Sequence, residues 1–194
     1  MTDWTVVVPV KGTTAAKSRL GGTGELALAI ALDSVEAALG ASRVIVVTSA
    51  GAAAAFGELG ARVVEDAGAG LLAAIRQGLD AAGTHRVAVL LGDVPALTAA
   101  ELARALELAE RHPLAFVADA DGVGSVLITA LDAGDHRPAF GENSRAAHLA
   151  AGYVELDYPR DSGLRRDVDT EEQLVGISLG ALGARTRAAL ARTQ

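Results

Sequence analysis

The sequence predicts an α/β protein with a mostly parallel central sheet and helices on both faces. Short β-branched runs alternate along the chain with longer segments rich in Ala and Leu, and this alternation is typical of a parallel sheet covered by helices. The chain has 194 residues, of which 51% are hydrophobic, so it can bury an ordinary core. No repeat, low-complexity segment or linker interrupts the pattern. We therefore expect a single domain over residues 1–194.

The strands are the β-branched runs, beginning with WTVVVPV, and the helices are the Ala- and Leu-rich segments of helical period between them. The predicted strands are residues 4–10, 43–49, 61–66, 85–92, 114–120, 124–131 and 153–157. The predicted helices are residues 24–39, 51–58, 69–82, 98–111, 144–151 and 170–180. The final stretch, ALGARTRAALART, is expected to form a surface helix or a frayed tail. Ligands of such sheets bind beyond the carboxyl ends of the strands, which directs attention to the loops that follow them.

Charge and composition exclude several classes of function. A net charge of -7 repels nucleic acid and anionic membranes, so we expect neither as a partner, and any anionic ligand needs a local cationic pocket. The chain has no cysteine, which excludes disulfides, thiolate metal sites and cysteine nucleophiles. There is no basic leader and no apolar run of bilayer length, so we expect a cytoplasmic protein.

Hydrolase chemistry finds no support either. No GxSxG nucleophile elbow occurs, and the four histidines lack metal-ligand spacing. His148 follows Ser144 by four residues and shares its helix face, which suits a supporting role.

The first strand runs into PVKGTTAAKSRL, which holds the two lysines of the chain, Lys11 and Lys17, together with Arg19. Cations, hydroxyls and backbone donors in one loop fit a polyphosphate. The loop is neither a Walker A loop nor a GxGxxG dinucleotide turn. The alternative is a solvated loop of exposed basic side chains, and these residues alone leave both interpretations open.

Acidic residues follow two later segments. In LLGDVPALTAAEL, Asp93 comes at the carboxyl end of an apolar strand, where it can bind a divalent cation or cap its own turn. In RRDVDTEEQL, Asp167 and Asp169 are two residues apart in extended chain and project to the same side. Capping boxes explain Thr98 with Glu101, and Thr170 with Gln173, but leave Asp93 and Asp167 without a role. Three acids without histidine or cysteine favour Mg²⁺ or Mn²⁺.

Two glycine-containing segments, ADADGVGSV and PAFGENSRAAH, complete the set. Gly124 and Gly141 permit close approach of a ligand to the backbone, and Ser125 and Ser144 add hydroxyl groups near a helix N-terminus. An ordinary hairpin turn and an ordinary N-cap are the structural alternatives.

Taken in order, PVKGTTAAKSRL, GDVPALT, DADGVGS, FGENSRAAH and RRDVDT resemble a known family over nearly the whole chain. The family is the guanylyltransferases that activate 2-phospho-L-lactate or phosphoenolpyruvate with GTP during synthesis of the deazaflavin coenzyme F420. The resemblance implies the Rossmann-like nucleotidyltransferase fold that is shared with nucleotide-sugar and molybdenum-cofactor (MobA-like) transferases.

The resemblance also implies roles for individual residues. The catalytic set would be Lys11, Lys17, Arg19 and Asp93. The nucleotide would be bound by Lys11, Lys17, Arg19, Gly68, Gly70 and Leu71. Two Mg²⁺ ions, or Mn²⁺, would be held by Asp93, Asp167 and Asp169. The three-carbon phosphoacid would lie near Gly124, Ser125, Gly141 and Ser144. The chain departs from the family pattern at Ser125, where Thr is expected, and at Leu72, where Asn is expected.

The implied reaction joins GTP to a three-carbon phosphoacid and releases pyrophosphate. The resemblance associates phosphoenolpyruvate with the bacterial members of the family, and the heavy use of Ala, Gly, Val and Arg is typical of a GC-rich genome, so phosphoenolpyruvate is the expected acid. 2-Phospho-L-lactate and 3-phosphoglycerate stay open. Another small-molecule nucleotidyltransferase, of the cytidylyl or molybdenum-cofactor type, and a non-catalytic nucleotide-binding protein of the same fold are the alternatives. A monomer and a homodimer are both compatible with the sequence.

Overall fold

A computed structural model describes residues 3–10, 24–83 and 85–193. Seven strands form one sheet in the order β3-β2-β1-β4-β6-β5-β7. The strands are β1 Thr5–Pro9, β2 Arg43–Thr48, β3 Arg62–Glu65, β4 His85–Leu90, β5 Leu114–Ala118, β6 Ser125–Asp132 and β7 Val154–Glu155. β6 runs antiparallel to β4 and β5, whereas the other neighbours pair in parallel. The predicted mostly parallel sheet is therefore confirmed.

Within the part of the chain that the structure describes, seven α-helices connect and flank the strands. They are α1 Gly24–Leu39, α2 Ala50–Glu58, α3 Leu71–Ala82, α4 Ala99–Ala109, α5 Ser144–Ala150, α6 Glu171–Val175 and α7 Ala184–Thr193. The capping box of Thr98 and Glu101 at the start of α4 is present, as is that of Thr170 and Gln173 before α6. None of the described helices is long and apolar enough to cross a membrane.

Several elements are a few residues shorter than predicted, and α6 and β7 are shortened most. α6 ends at Val175 instead of residue 180, and the chain continues into a 3-10 helix at Leu179–Ala181. Glycines at positions 176, 180 and 183 disfavour a continuous helix there, because glycine loses the most backbone freedom on becoming helical. The edge strand β7 pairs with β5 over Val154 and Glu155 alone.

Alternating side chains of the strands place helices on both faces of the sheet. In β1, Val6 and Val8 are buried with Val35 of α1, while Val7 is buried on the other face with Ile75 of α3. Each such valine contributes roughly 1.5–3 kcal/mol on burial. This double covering explains why the strand sequences read as continuous apolar runs.

A smaller apolar cluster lies next to the ends of these strands. It joins α1 with the chain after β4, the acidic segment and the last two helices through Leu26, Ala29, Ile30, Ala96, Val168, Leu174, Ile177, Leu182 and Ala189. Asp33 of α1 fixes α7 in place, since its carboxylate accepts hydrogen bonds from the backbone N–H groups of Arg185 (3.1 Å) and Thr186 (2.7 Å). The start of the C-terminal helix α7 is thereby held against α1.

Candidate active site

The strand order changes direction between β1 and β4, where ligand sites of open α/β sheets are usually found. The chain after β4 lies close to the end of β1: a Cβ on Gly92 would come within 3.2 Å of Val10 and 3.3 Å of Val8. Asp93 therefore follows a residue that packs beside Val10. The predicted phosphate loop, with Lys11, Lys17 and Arg19, begins directly after Val10 and lies outside the described residues.

The two acidic segments run side by side. The backbone N–H of Val168 donates a 2.9 Å hydrogen bond to the carbonyl oxygen of Asp93, and Val168 itself is buried. The next residue after Asp93 is also fixed, because the N–H of Val94 donates to Ser34 Oγ of α1 at 3.2 Å. Asp93 and the pair Asp167 and Asp169 thus emerge from adjacent stretches of backbone, although 74 residues separate Asp93 from Asp167 in sequence.

The carboxylate of Asp167 is in an acidic and partly buried environment. Burial, and after it the negative charges of Asp119, Asp169 and Asp121, raise the pKa of Asp167 to about 6, against the effect of a backbone hydrogen bond. Asp169 is exposed, and its backbone N–H donates to Gln173 Oε1 at the start of α6. Negative charge is therefore concentrated where the two segments meet, which favours a cation.

The described side chains do not by themselves complete a three-ligand metal site. Within residues 3–10, 24–83 and 85–193, no group of three or more acidic or histidine side chains is arranged to hold a metal ion. Asp93, Asp167 and Asp169, predicted to hold two Mg²⁺ ions, are therefore not gathered into one group of ligands here, although their backbones are adjacent. The donor set still fits Mg²⁺, which proteins commonly bind through one or two carboxylates together with substrate phosphates.

Glu101 anchors the chain that leads into the acidic segment. Its Oε1 accepts hydrogen bonds from Ser162 Oγ (2.7 Å) and from the N–H of Gly163 (2.8 Å), and its carbonyl accepts one from the Tyr158 hydroxyl (2.7 Å). Burial acts to raise the pKa of Glu101, but the hydrogen bonds from Ser162, Thr98 and Gly163 outweigh it and lower the pKa. The helix cap recognised in the sequence therefore also positions a segment some sixty residues away.

Arg165 connects this segment to the loop between β5 and β6. Its guanidinium donates to the carbonyl of Asp119 through Nε (3.1 Å) and Nη2 (2.7 Å), and to the carbonyl of Tyr158 through Nη1 (3.1 Å). In return, the N–H of Ala120 donates to the Arg165 carbonyl at 2.7 Å. Sequence reasoning missed Arg165, and the signal available was the basic pair immediately before the two aspartates.

The four residues predicted to bind the phosphoacid lie close together. The N–H of Ser125 donates to Ser144 Oγ at 2.9 Å, and the N–H of Ser144 donates to the Gly141 carbonyl at 3.2 Å. Gly124 is required by its neighbours, since a Cβ there would lie 2.4 Å from Asp119 Oδ2. Both serines are 3% exposed, and both hydroxyl oxygens are hydrogen-bonded within the fold.

An open pocket of about 530 Å³ borders the same loops. Its lining includes Asp121, Gly122, Arg145, Tyr158, Arg160 and Arg165, and it lies past the carboxyl ends of the parallel strands β5 and β7. Arg145 is held by a 2.8 Å ion pair with Glu155. The pocket is therefore polar and of mixed charge, since Glu155 and Asp157 also line it beside the three arginines.

The residues predicted beside the nucleotide base lie after β3, at the same edge of the sheet. The loop is shaped by hydrogen bonds from the Asp66 N–H to the Thr48 carbonyl (2.8 Å) and from the Gly68 N–H to Asp66 Oδ1 (2.9 Å). Gly70 precedes α3 with φ 96° and ψ 172°, a conformation open to glycine. Leu71 is half-buried against the core, so its backbone faces any ligand more readily than its side chain.

Comparison with known proteins identifies the family of the chain. Residues 13–160 match the family described as MobA-like NTP transferase domain. Phosphoenolpyruvate guanylyltransferases of Streptomyces coelicolor and Salinispora arenicola are 43% and 45% identical to the chain, covering 98% and 94% of it and 97% and 91% of their own lengths.

Solved structures agree on the fold. A putative nucleotide-diphospho-sugar transferase of Desulfovibrio desulfuricans superposes with a TM-score of 0.68 at 17% identity, covering 99% of this chain and 95% of that one. A cytidylyltransferase of Leptospira borgpetersenii gives 0.61 at 15%, covering 99% and 94%. The chain belongs to the MobA-like NTP transferase family, and within it to the family that contains the phosphoenolpyruvate guanylyltransferases.

Proposed function

We propose that the protein transfers a guanylyl group from GTP to phosphoenolpyruvate. A phosphate oxygen of phosphoenolpyruvate attacks the α-phosphorus of GTP in line, the bond from that phosphorus to the β-phosphate oxygen breaks, and pyrophosphate leaves. The product is enolpyruvoyl-2-diphospho-5'-guanosine. Support comes from relatives of that name at 43–45% identity over almost the whole chain.

One structural observation carries the proposal: the hydrogen bond from the Val168 N–H to the Asp93 carbonyl brings two acidic segments together beside the end of β1. Two polyanions have to meet in this reaction, and unscreened unit charges about 4 Å apart repel by roughly 4 kcal/mol at an effective dielectric near 20. A basic loop on one side and a cation-binding acidic edge on the other offset that repulsion.

The chain's own residues then have three tasks. Asp93, Asp167 and Asp169 would hold Mg²⁺, which when bound neutralises phosphate charge and fixes its geometry. Lys11, Lys17 and Arg19 would bind the β- and γ-phosphates and stabilise the charge of the departing pyrophosphate. The backbone near Gly124 and Gly141, with the arginines of the adjoining polar pocket, would orient the acid. An ionised phosphate is already a nucleophile, so the reaction needs no strong general base.

The place of this reaction is a further part of the proposal. The resemblance implies that the product is used in the synthesis of coenzyme F420. The cytoplasm is the location expected from the sequence.

The experiment is a nucleotide and acceptor panel. Purified protein with Mg²⁺ is given GTP, CTP, ATP or UTP, each with phosphoenolpyruvate, 2-phospho-L-lactate or 3-phosphoglycerate, and both pyrophosphate and product mass are measured. The proposal requires pyrophosphate with GTP and phosphoenolpyruvate and a product of the corresponding mass. Turnover with CTP in place of GTP would assign a cytidylyltransferase, and GTP-dependent thermal stabilisation without pyrophosphate would assign a binding protein.

A further inference from the structure

His148 sits at the centre of the loops that form the proposed phosphoacid site. It lies on α5 and is fully buried. Its Nε2 accepts a 2.9 Å hydrogen bond from the backbone N–H of Ala139, and its Nδ1 lies 3.0 Å from Ser125 Oγ. One side chain therefore contacts both the start of β6 and the chain before α5.

These contacts determine where the ring carries its hydrogen. A backbone N–H can only donate, so Nε2 must be unprotonated and the neutral ring carries its hydrogen on Nδ1. The ring is neutral because burial, and secondly the charge of nearby His136, lower the pKa of His148 to about 4, while a hydrogen bond to the backbone of Ser144 acts in the opposite direction. Nδ1–H is consequently directed at Ser125 Oγ, 3.0 Å away, with the backbone of Ser144 as a second acceptor.

The same reasoning fixes Ser125. Its Oγ accepts from His148, and its N–H donates to Ser144 Oγ at 2.9 Å. Among the described residues, no hydrogen bond uses the hydroxyl proton of Ser125, which leaves this proton for a ligand oxygen that reaches the buried side chain (3% exposed). The hydroxyl and the backbone N–H of Ser125 are thus contacted by His148 and Ser144, which lie one turn apart on α5.

We propose that His148 is a positioning residue for the phosphoacid, acting through Ser125 and Ala139. The Nε2 atom fixes the backbone of Ala139, and Nδ1 contacts the Ser125 hydroxyl. The ring thereby orients that hydroxyl as a donor to a carboxylate or phosphate oxygen. This rests on the proposed function and assigns a specific task to one buried side chain within it.

A second buried histidine provides a matched control. His136 packs in the same aromatic cluster, with its ring centroid 6.2 Å from Tyr153, which in turn contacts His148. Its Nδ1 accepts from the Tyr153 hydroxyl, because that oxygen already receives the Arg137 N–H, and its Nε2–H donates to the Val87 carbonyl. His136 bonds neither Ser125 nor Ala139, so its loss perturbs the cluster without releasing those contacts.

Asparagine and glutamine separate the two contacts of His148. The amide of Asn reaches the position of Nδ1 and can still donate to Ser125, whereas the amide of Gln reaches that of Nε2 and can still accept from Ala139. We expect His148→Gln to raise KM for phosphoenolpyruvate by about tenfold while KM for GTP changes less than about twofold, the effect of one lost hydrogen bond at a binding site. His148→Asn should raise KM for phosphoenolpyruvate less.

Ser125→Ala tests whether His148 acts through the serine. In the Ser125→Ala background, His148→Gln should add little further change in KM for phosphoenolpyruvate, because coupled residues are not additive. His136→Gln should leave KM for phosphoenolpyruvate within about twofold of wild type even where urea unfolding shows an equal loss of stability. If His148→Gln does not fold, Ser125→Ala removes the same contact from the serine side and is compared with His136→Gln.

The outcomes separate this proposal from the function on which it rests. Wild-type protein that releases no pyrophosphate from GTP and phosphoenolpyruvate overturns both. An active wild type with unchanged KM for phosphoenolpyruvate in the His148 variants overturns the positioning role alone. So does an equal rise in KM for both substrates, an effect of His136→Gln as large as that of His148→Gln, or full additivity with Ser125→Ala.

Discussion

The N–H of Val168 lies 2.9 Å from the carbonyl oxygen of Asp93, so the acidic segment before α6 is hydrogen-bonded to the chain that leaves the central strand β4. This single bond sets two candidate metal-binding segments next to each other at the point where the strand order reverses. Val168 is also buried in the small apolar cluster with Ala96, and this packing supports the same contact between the two segments. Side chains on either side of Val168 are thereby placed at the ligand edge.

Neutralising Asp93 or Asp169 should stop catalysis without unfolding the protein. Asparagine keeps the size of the side chain but removes the charge that a divalent cation needs. We expect Asp93→Asn and Asp169→Asn to lower kcat for pyrophosphate release by at least about a hundredfold at fixed Mg²⁺. The measurement is a Mg²⁺ titration of GTP-dependent turnover, with circular dichroism to verify folding.

Asp161→Asn is the matched control, since Asp161 is an exposed acid in the same stretch of chain. It should retain wild-type turnover at every Mg²⁺ concentration. Unimpaired turnover in Asp93→Asn or Asp169→Asn would remove that acid from the proposed metal site.

Removing the charge of Lys17 should weaken the handling of the triphosphate. A charge-assisted hydrogen bond to phosphate is worth about 1.5–3 kcal/mol. Lys17→Ala is therefore expected to raise KM for GTP by about tenfold to a hundredfold and to slow turnover. Steady-state kinetics at saturating phosphoenolpyruvate measure both.

Arg111→Ala serves as the control, because Arg111 is an exposed cation in the turn before β5, at the opposite end of that strand from the candidate site. Equal kinetics of Lys17→Ala and Arg111→Ala would favour the alternative of a solvated basic loop.

The sequence was sufficient for features that depend on local pattern. β-branched runs located every strand, and the spacing of Thr98 and Glu101 identified a helix cap. The short α6 was missed because helical period continues through residues where glycine breaks the helix.

Long-range contacts could not be predicted in the same way. Nothing near Glu101 in sequence indicates that its second oxygen accepts from Ser162, and nothing near Asp33 indicates that it holds the start of α7. Such contacts depend on how helices pack over the sheet, which fixes distances between residues far apart in the chain. Ser125 and Ser144 show the same limit. Both serines were predicted as candidate site residues, but the hydrogen bond from the Ser125 N–H to Ser144 Oγ was not predicted.

Asp33→Ala should destabilise the protein by releasing α7. The Asp33 carboxylate is 4% exposed and accepts from the Thr186 N–H and hydroxyl, each at 2.7 Å, and from the Arg185 N–H. Its loss leaves donors without an acceptor at a buried position, which costs about 1–3 kcal/mol for each unsatisfied group. We expect the free energy of unfolding in urea to fall by roughly 3 kcal/mol.

Glu36→Ala is the comparison on the same helix. Glu36 forms an exposed ion pair with Arg185 at 2.6 Å, and such pairs contribute at most about 1 kcal/mol. Similar urea midpoints for Asp33→Ala and Glu36→Ala would contradict the role of Asp33 as the anchor of α7.

Stability should fall as the pH drops below about 6.5, because two buried histidines are neutral in the fold. Burial first, and then Arg137, lower the pKa of His136 to about 4, and the pKa of His148 is lowered to about 4 as well. The unfolded chain binds these protons first, so the stabilising contribution is present above the unfolded pKa and is lost as the pH falls toward 4. For His136 this is roughly 3 kcal/mol at pH 4.

Asp167 acts in the opposite direction over part of this range. Its pKa is raised to about 6, so the folded state binds its proton first and gains relative stability as the pH falls through 6. The Asp167→Asn protein removes this contribution and isolates the histidines. The urea midpoint of that protein should decrease as the pH is lowered from about 7.5 to about 5. A constant or rising midpoint would show that the histidines are not the titrating groups.

Gly163→Ala should displace the segment that leads to Asp167 and Asp169. A Cβ at Gly163 would lie 2.0 Å from the backbone carbonyl oxygen of Ala96, and backbone atoms cannot yield as a flexible side chain can. The segment must move away from Glu101, so we expect a loss of about 2 kcal/mol in unfolding free energy together with a higher Mg²⁺ requirement for turnover. Gly51→Ala in α2 meets nothing within 4 Å and should instead stabilise the protein by about 0.5–1 kcal/mol. An unchanged Mg²⁺ requirement in Gly163→Ala would mean that the contact with Ala96 supports the fold but does not set the position of the acidic pair.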